Sequence, residues 1–486
     1  MLGIDVGTTG TKAILFSEHG KIVGQAYCAY PTHTPKVFWC EQNPQDWWNA
    51  VCVTVKEICD APNIRSKVVA LSLSTQGGTM VGLDACGNAV RPAIVWSDKR
   101  CDRELEIFRN TYPQIDVYRT CGWNASASMP LLHCHWMQHN DAESFRKIAL
   151  FLSVPDYLAW KMTGIPVVDI SNAGICRFVD IQKGEYDDAL LQCAGLNRVQ
   201  MAEVVPSGKP IGTLTEQAAL ELGLSTDVLV VSGAHDQYAV ALGAGACKAG
   251  DILIGSGTSW VVTSMSDAPD FGSGLAQSVS AVPGLWGSLR SLSSGGACLE
   301  WWRKNLTADA NGDVLPFAVI NEEVSRRKAA EEGLFFYPFS GQHAPNHSFR
   351  KASFVGMDMS HDRFHLARAI MEGVAFQIVW MMESFRTKPS QEGIILAGGA
   401  SRSAVWCQMV ANIANLPVRV PKTADLACVG AAILAGVGSG AYAGTAEGIH
   451  HLAVHYDVVY PDPDQTATYH ELYLQYKHTA NRLGNL

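Results

Sequence analysis

Asp5 stands two residues ahead of a turn, Gly7-Thr8-Thr9-Gly10-Thr11-Lys12, that lies between two short apolar runs. Glycine lets a backbone approach a ligand closely and take φ > 0, and threonine sets hydroxyls beside free backbone N–H groups. A buried aspartate is costly unless it meets a cation. The combination predicts a hairpin that holds phosphate oxygens, with Asp5 facing a metal-bound phosphate. Taken alone, the pattern equally fits an ordinary hairpin with Asp5 as an edge residue. A second carboxylate, Asp236, follows the buried-strand run Asp227–Ser232 through Gly233-Ala234-His235 and opens a small-residue helix, Tyr238 to Gly245. The helix dipole favours the ionised carboxylate there, well suited to accept a proton from a hydroxyl nucleophile. Capping its own helix is the plainer use of Asp236.

The opening pattern returns half a chain length later, as Asp251-Ile252-Leu253-Ile254-Gly255-Ser256-Gly257-Thr258-Ser259-Trp260-Val261-Val262-Thr263. Gly257-Thr258-Ser259 matches Gly7-Thr8-Thr9, and Gly255 replaces Asp5. A metal ligand is needed on one side of a triphosphate only, so the asymmetry favours two phosphate hairpins forming a nucleotide clamp. The repeat predicts a duplicated domain with its boundary near Gly243–Gly250, hence domains 1–243 and 244–486.

The elements between these residues must position them. Lys21–Tyr27 reads as a third strand, and Pro44 begins an amphipathic helix through Ile58. The tryptophans and acids around Trp39, Trp47 and Trp48 fit packing plus a helix cap, or a recognition surface. The strand Val68–Ser74 ends in Gln76-Gly77-Gly78, a small-residue gap above a strand's C-terminal end, where ligands bind in open α/β sheets. Asp98 and Arg100 follow the short strand Ala93–Trp96 and have charges that can pair with each other. Ala127 to about Thr163 reads as helical; its His135 and His139 lie four apart without a third metal ligand. Ser293-Ser294-Gly295-Gly296 is a bend before a helix. Glu322–Gly333 reads as a solvated helix face, and Phe364–Phe385 carries a core-facing apolar stripe. Ile394–Ala397 feeds Gly398-Gly399-Ala400-Ser401-Arg402, a turn on which a base or ribose could lie. No motif follows Leu452.

Composition narrows the class. With 486 residues the chain needs two or three domains. A net charge of −9 without a basic stripe excludes a nucleic-acid footprint. Fourteen cysteines without a Cys-x-x-Cys pair fit a reducing cytoplasm. The uncharged run Leu426–Gly444, rich in Ala and Gly, reads as a buried helix and turn rather than a membrane span. No Gly-x-x-x-x-Gly-Lys-Ser/Thr is present, and no Gly-x-Gly-x-x-Gly follows a strand. Paired phosphate hairpins then point to an α/β, two-lobed actin-like ATPase (ribonuclease H-like) fold, with duplicated domains around a central cleft.

On these motifs the chain resembles the FGGY family of carbohydrate kinases along essentially its whole length. The matches are Asp5-Val6-Gly7-Thr8-Thr9 with Lys12, Trp39-Cys40-Glu41-Gln42-Asn43-Pro44 with Trp47-Trp48, and Asp98 and Arg100 after Trp96. Gly233-Ala234-His235-Asp236-Gln237, the segment Ala352–Glu372 and Gly398-Gly399-Ala400 with Arg402 complete them. The xylulokinase-like branch is the most similar. The resemblance implies ATP and Mg²⁺ as cofactors and a small sugar or polyol as substrate, with D-xylulose first and another ketose or polyol next. It implies Asp236 as base and Asp5 as Mg²⁺ ligand. The nucleotide would be bound by Thr8, Thr9, Gly10, Lys12, Gly257, Thr258, Gly296, Gly399, Ala400 and Arg402, and the sugar by Gln76, Gly77, Gly78, Asp98, Arg100, Asp236 and Gln237. A cytoplasmic enzyme without nucleic-acid or membrane partners is expected, with a homodimer left open. An actin-like ATPase module without a sugar substrate is the alternative of another class.

Departures from the family bear on specificity. Xylulokinases carry Met-His where this chain has Gly77-Gly78, and glycerol kinases carry Arg-Glu. His133 stands three residues before Trp136 in place of a lysine, and Gln342-His343 replaces Glu-Arg.

Overall fold

Leu2, Ile4, Val6, Leu71, Leu73, Val230 and Val231 come from near-continuous apolar runs and are all buried, as strands covered on both faces require. The computed structural model describes residues 1–60, 64, 67–338, 351–423, 425–452 and 454–483. They form two compact units. One comprises Met1–Cys247, Asp267–Gly287 and Thr423–Val454; the other comprises Lys248–Ser266, Ser288–Lys422 and His455–Leu486.

The first unit is built on a six-stranded sheet in the order Pro210–Thr213, Leu229–His235, Ala70–Thr75, Leu2–Val6, Gly10–Phe16, Ile22–Ala29. The central three strands run parallel and the others pair antiparallel. Asp5 is therefore on a central strand, which removes the edge-residue alternative. The register sets Asp5 opposite Lys12 on one side and Ser74 on the other, so all three side chains share a face. Gly3 lies on that face too, and a Cβ there would strike the backbone of Cys428 in the helix Leu426–Gly438. On the opposite face Leu2, Ile4, Leu15, Leu71 and Leu73 join Trp47, Trp48, Val51 and Val55 of the helix Pro44–Cys59 in one core. Each such fully buried aliphatic side chain contributes about 1.5–3 kcal/mol.

The helix Leu426–Gly438 also packs on the helix Asp236–Gly243. Their contact needs glycine: a Cβ at Gly243 would meet the Leu426 carbonyl, and one at Gly430 would meet the Ala239 carbonyl. The uncharged run thus forms a buried helix. Among the described residues no helix is long and apolar enough to cross a membrane.

Six consecutive strands of a seven-stranded sheet stand in the order Trp286–Leu292, Trp260–Ser266, Ile252–Ser256, Ile394–Gly398, Val418–Pro421, Tyr456–Val459. An antiparallel hairpin, two parallel neighbours and an antiparallel edge repeat the pattern of the first sheet. The 20-residue helix Arg363–Met382 is buried along most of its length. Its pair Arg368–Glu372 (2.7 Å) is completed by the Tyr469 hydroxyl, which donates to Glu372 over 2.8 Å. Two elements follow Leu452, the strand Tyr456–Val459 and the 21-residue helix Pro463–Leu483.

The continuous helix expected over Ala127–Thr163 is replaced by helices Pro130–Asn140, Ala142–Arg146 and Val154–Thr163, with a strand at Leu150–Ser153. Asp141 breaks the first by accepting a hydrogen bond from the Ser144 N–H. Leu150–Ser153 instead pairs with Met80–Leu83 in a small four-stranded sheet. Over Glu322–Gly333 the helix Phe317–Ser325 ends early and a 3-10 turn follows at Glu331–Gly333. Gln342-His343 falls outside the described residues.

Candidate active site

In the first unit, strand ends deliver the carboxylates. Ser74 Oγ donates to Asp5 Oδ1 at 2.7 Å. Burial pushes the Asp5 carboxyl up to about 6; Ser74 opposes this, Asp236 and Asp425 add to it, and Lys12 opposes it weakly. Lys12 Nζ lies 2.6 Å from Asp425, just ahead of the helix Leu426–Gly438. Asp5 thus lies in the field of two further carboxylates, Asp236 and Asp425, and of one lysine. That local excess of negative charge fits a place for a divalent cation beside Asp5, with several of its waters kept.

Asp236 follows the strand Leu229–His235, which slips register between Val231 and Ala234. A bulge of this kind re-aims the side chains after it. His235 is the N-cap of the next helix, and no side chain caps it. The capping alternative for Asp236 is therefore not realised: its carboxylate is 38% exposed and closest to His235, with Oδ1 3.1 Å from Nε2. The His235 N–H donates to Ser171 Oγ at 2.9 Å, and Ser171 and Asn172 side chains both donate to buried Asp169. Burial raises the Asp169 carboxyl, and those two donors oppose the rise. This buttress anchors the strand end beneath Asp236.

The first Gly/Thr hairpin closes on a hydrogen bond from Gly7 N to the Gly10 carbonyl (3.0 Å). Thr9 is exposed at its tip. Thr8 Oγ1 accepts from Trp96 Nε1 at 3.0 Å, and the Thr8 carbonyl accepts from Gln42 at 2.6 Å. Gln76 is buried, donates to Gln42 Oε1 (3.0 Å) and accepts from Thr79 (3.3 Å). Its groups are used in holding the hairpin. Gly78 has φ +72° and Gly77 lies against His235. Gln237 is half-buried.

Asp98 and Arg100 lie in a closed network. Arg100 pairs with Asp98 (2.8 Å) and Glu41 (2.9 Å), Arg91 also pairs with Glu41 (2.7 Å), and Arg100 stacks over Trp39 at 3.8 Å. The side chains of Asp98 and Arg100 are 0% and 1% exposed. They pair with each other, as their charges allow, and hold the loop that carries Trp39. Trp47 and Trp48 are buried, and Asn43 caps their helix, so packing accounts for these two tryptophans. His133 is buried, both its ring nitrogens lack a hydrogen-bond partner among the described residues, and burial drives its pKa down to about 3.

In the second unit, Gly257, Thr258 and Ser259 are exposed at the hairpin tip. Ala297 N donates to the Thr258 carbonyl (3.1 Å), which places Gly296 against this tip. Ser256 ties in the third loop: its carbonyl accepts from Gly399 N (2.7 Å) and its Oγ from Ala400 N (3.1 Å). The candidate nucleotide residues Gly257, Thr258, Gly296, Gly399 and Ala400 form one cluster, and Arg402 is exposed at its margin. Sequence reasoning missed Ser74, Asp169, Ser171, Asp425 and any role for His235. Only the motif position of His235 and its neighbour Asp236 could have flagged it.

Residues 1–243 match the family model "FGGY family of carbohydrate kinases, N-terminal domain", and residues 252–439 match its C-terminal counterpart. The chain is 32% identical to a xylulose kinase of Escherichia coli (strain K12), over 85% of this chain and 84% of that one. It is 28% identical to a gluconokinase of Bacillus subtilis (strain 168), over 89% and 86%. The crystal structure of xylulose kinase from Rhodospirillum rubrum superposes with a TM-score of 0.89 at 26% identity, covering 99% of this chain and 98% of that one.

Proposed function

The chain belongs to the FGGY family of carbohydrate kinases and is an ATP-dependent sugar phosphotransferase, and on that premise we propose that it phosphorylates a hydroxyl of a small ketose or polyol, D-xylulose first. The observation that carries the mechanism is Asp236: part-exposed, free of any capping bond and held on a buttressed strand end. Asp236 accepts the proton of the attacking hydroxyl. The transition state of phosphoryl transfer is loose, so alignment and charge neutralisation supply most of the catalysis. Mg²⁺, when bound with ATP, neutralises phosphate charge, and Asp5 would hold it through water. Thr8, Thr9, Gly10, Gly257 and Thr258 would bind phosphates. Lys12 would act chiefly by neutralising Asp425, its partner at 2.6 Å. Gly296, Gly399, Ala400 and Arg402 would bind the rest of the nucleotide. Gln76, Gly77, Gly78 and Gln237 would shape the sugar pocket, while Asp98 and Arg100 would support it from behind. The division into domains 1–243 and 244–486 is part of the same proposal as a division of the sequence; the compact units differ from it in placing Asp267–Gly287 and Thr423–Val454 in the first unit.

A second substrate reading, a sugar acid, is favoured by the gluconokinase relative together with the loss of side chains at Gly77-Gly78. Coupled ADP release over a panel of ketoses, polyols and aldonates tests both. Highest kcat/KM on D-xylulose supports the first substrate; highest kcat/KM on gluconate replaces it with the second. Sugar-independent ATP hydrolysis alone would refute the kinase and favour an ATPase module.

A further inference from the structure

His235 and Gly77 meet in space although 158 positions separate them (235 − 77). A Cβ built on Gly77 would lie 2.5 Å from His235 Cδ2 and 2.8 Å from Nε2. No other backbone or side-chain atom comes closer than Ile175 Cγ2, at 3.0 Å. The backbone at Gly77 does not have the left-handed φ of Gly78. Gly77 is therefore glycine for room, and the room belongs to the imidazole.

The ring uses that room on its Nε2 edge, which faces Asp236 Oδ1 at 3.1 Å, close enough for an ion pair but off the alignment of a hydrogen bond. Its side chain is 7% exposed, and Nδ1 is buried without a partner. Tyr238 and Trp123 pack around it, with ring centroids 5.7 and 6.3 Å away. Its backbone is pinned by Ser171. Packing thus fixes the ring, and among the described residues its polar contact is with Asp236. Asp236 Oδ1 in turn has no hydrogen bond among the described residues.

We propose that His235 is the positioning residue for Asp236, and that the missing side chain at position 77 exists to seat it. This rests on the kinase reading of Asp236 above. The Nε2 edge of the imidazole lies against Oδ1 at 3.1 Å and holds the carboxylate in its aim. The other oxygen is left to take the proton from the sugar hydroxyl. A misplacement of about 1 Å in such a group lowers turnover about a hundredfold.

A double-mutant cycle tests the idea, with kcat and both KM values measured alongside thermal melts. His235→Ala is expected to lower kcat by about ten- to a hundredfold with the KM for ATP unchanged. Gly77→Ala should reproduce that loss, because the new methyl displaces the ring. In the His235→Ala background Gly77→Ala should cost no further activity, since the obstacle is gone. His235→Gln, whose amide N–H can reach the place of Nε2, should restore part of kcat. His235→Asn, which is shorter, should not; a purely structural histidine would not separate the two. If the Gly77 and His235 effects multiply, or Gln and Asn behave alike, the proposal is overturned even while the wild-type kinase is active. If no sugar stimulates ADP release by the wild-type chain, the kinase reading fails and takes this one with it.

Discussion

Replacing Asp5 by Asn should make the protein more stable and much less active. Asp5 has an ordinary value of 3.8 and is raised by burial to about 6 in the folded chain. Because the folded value is above the unfolded one, the folded state holds the proton more tightly, and stability falls as pH rises from about 4 to about 6. At about 1.4 kcal/mol per pH unit, the gap corresponds to about 3 kcal/mol above pH 6. Asp5 is half-buried, so about 2 kcal/mol is the better expectation. Asn keeps an oxygen to accept the 2.7 Å bond from Ser74 and carries no charge toward Asp236 or Asp425. Urea unfolding in EDTA should therefore show Asp5→Asn about 2 kcal/mol more stable than wild type at pH 7.5. The two should converge near pH 4. Mg²⁺ with ATP should narrow the gap at pH 7.5 by favouring wild type, while coupled ADP release shows the variant impaired. A variant that is less stable at pH 7.5, or whose advantage does not change with pH, would refute the assignment of Asp5 as an uncompensated buried carboxylate.

Asp236→Asn should abolish sugar phosphorylation while ATP binding by calorimetry stays within about threefold, as removal of a general base requires. Asp98→Ala should lower stability by about 1.5–3 kcal/mol in urea, because the buried Arg100 guanidinium loses its hydrogen bonds to Asp98 and keeps Glu41 as a carboxylate partner; if Asp98 instead held sugar, KM would rise without that loss. Gly430→Ala should lower stability by about 1–3 kcal/mol, since its methyl would strike the Ala239 carbonyl.

Both Gly/Thr hairpins were legible because glycine and threonine stand at a bend between two apolar runs in each. The helix Arg363–Met382 was legible from its apolar spacing. Leu150–Ser153 was not, because a four-residue apolar strand between two helices has no period of its own. The partners of the carboxylates were hidden for a different reason. Ser74 reaches Asp5 through sheet register and Asp425 reaches Lys12 through a helix laid on that sheet; neither relation leaves a local pattern. Gly77 stood out as a departure from relatives, yet only coordinates connect it with His235.

The helix Leu426–Gly438 belongs to the first unit although it is encoded near the far end of the chain. On the ribosome, the sheet containing Asp5 emerges early and must wait for most of the remaining polypeptide before its second face can be covered. Until then Gly3, Ile14 and the Ala239 side of the helix Asp236–Gly243 stay open to water and to other nascent chains. A fragment ending at Gly243 should therefore be recovered in aggregates, and co-expression of a segment spanning Thr423–Val454 should return part of it to solution. A chain stopped short of that helix lacks the cover of its first sheet as well as a tail.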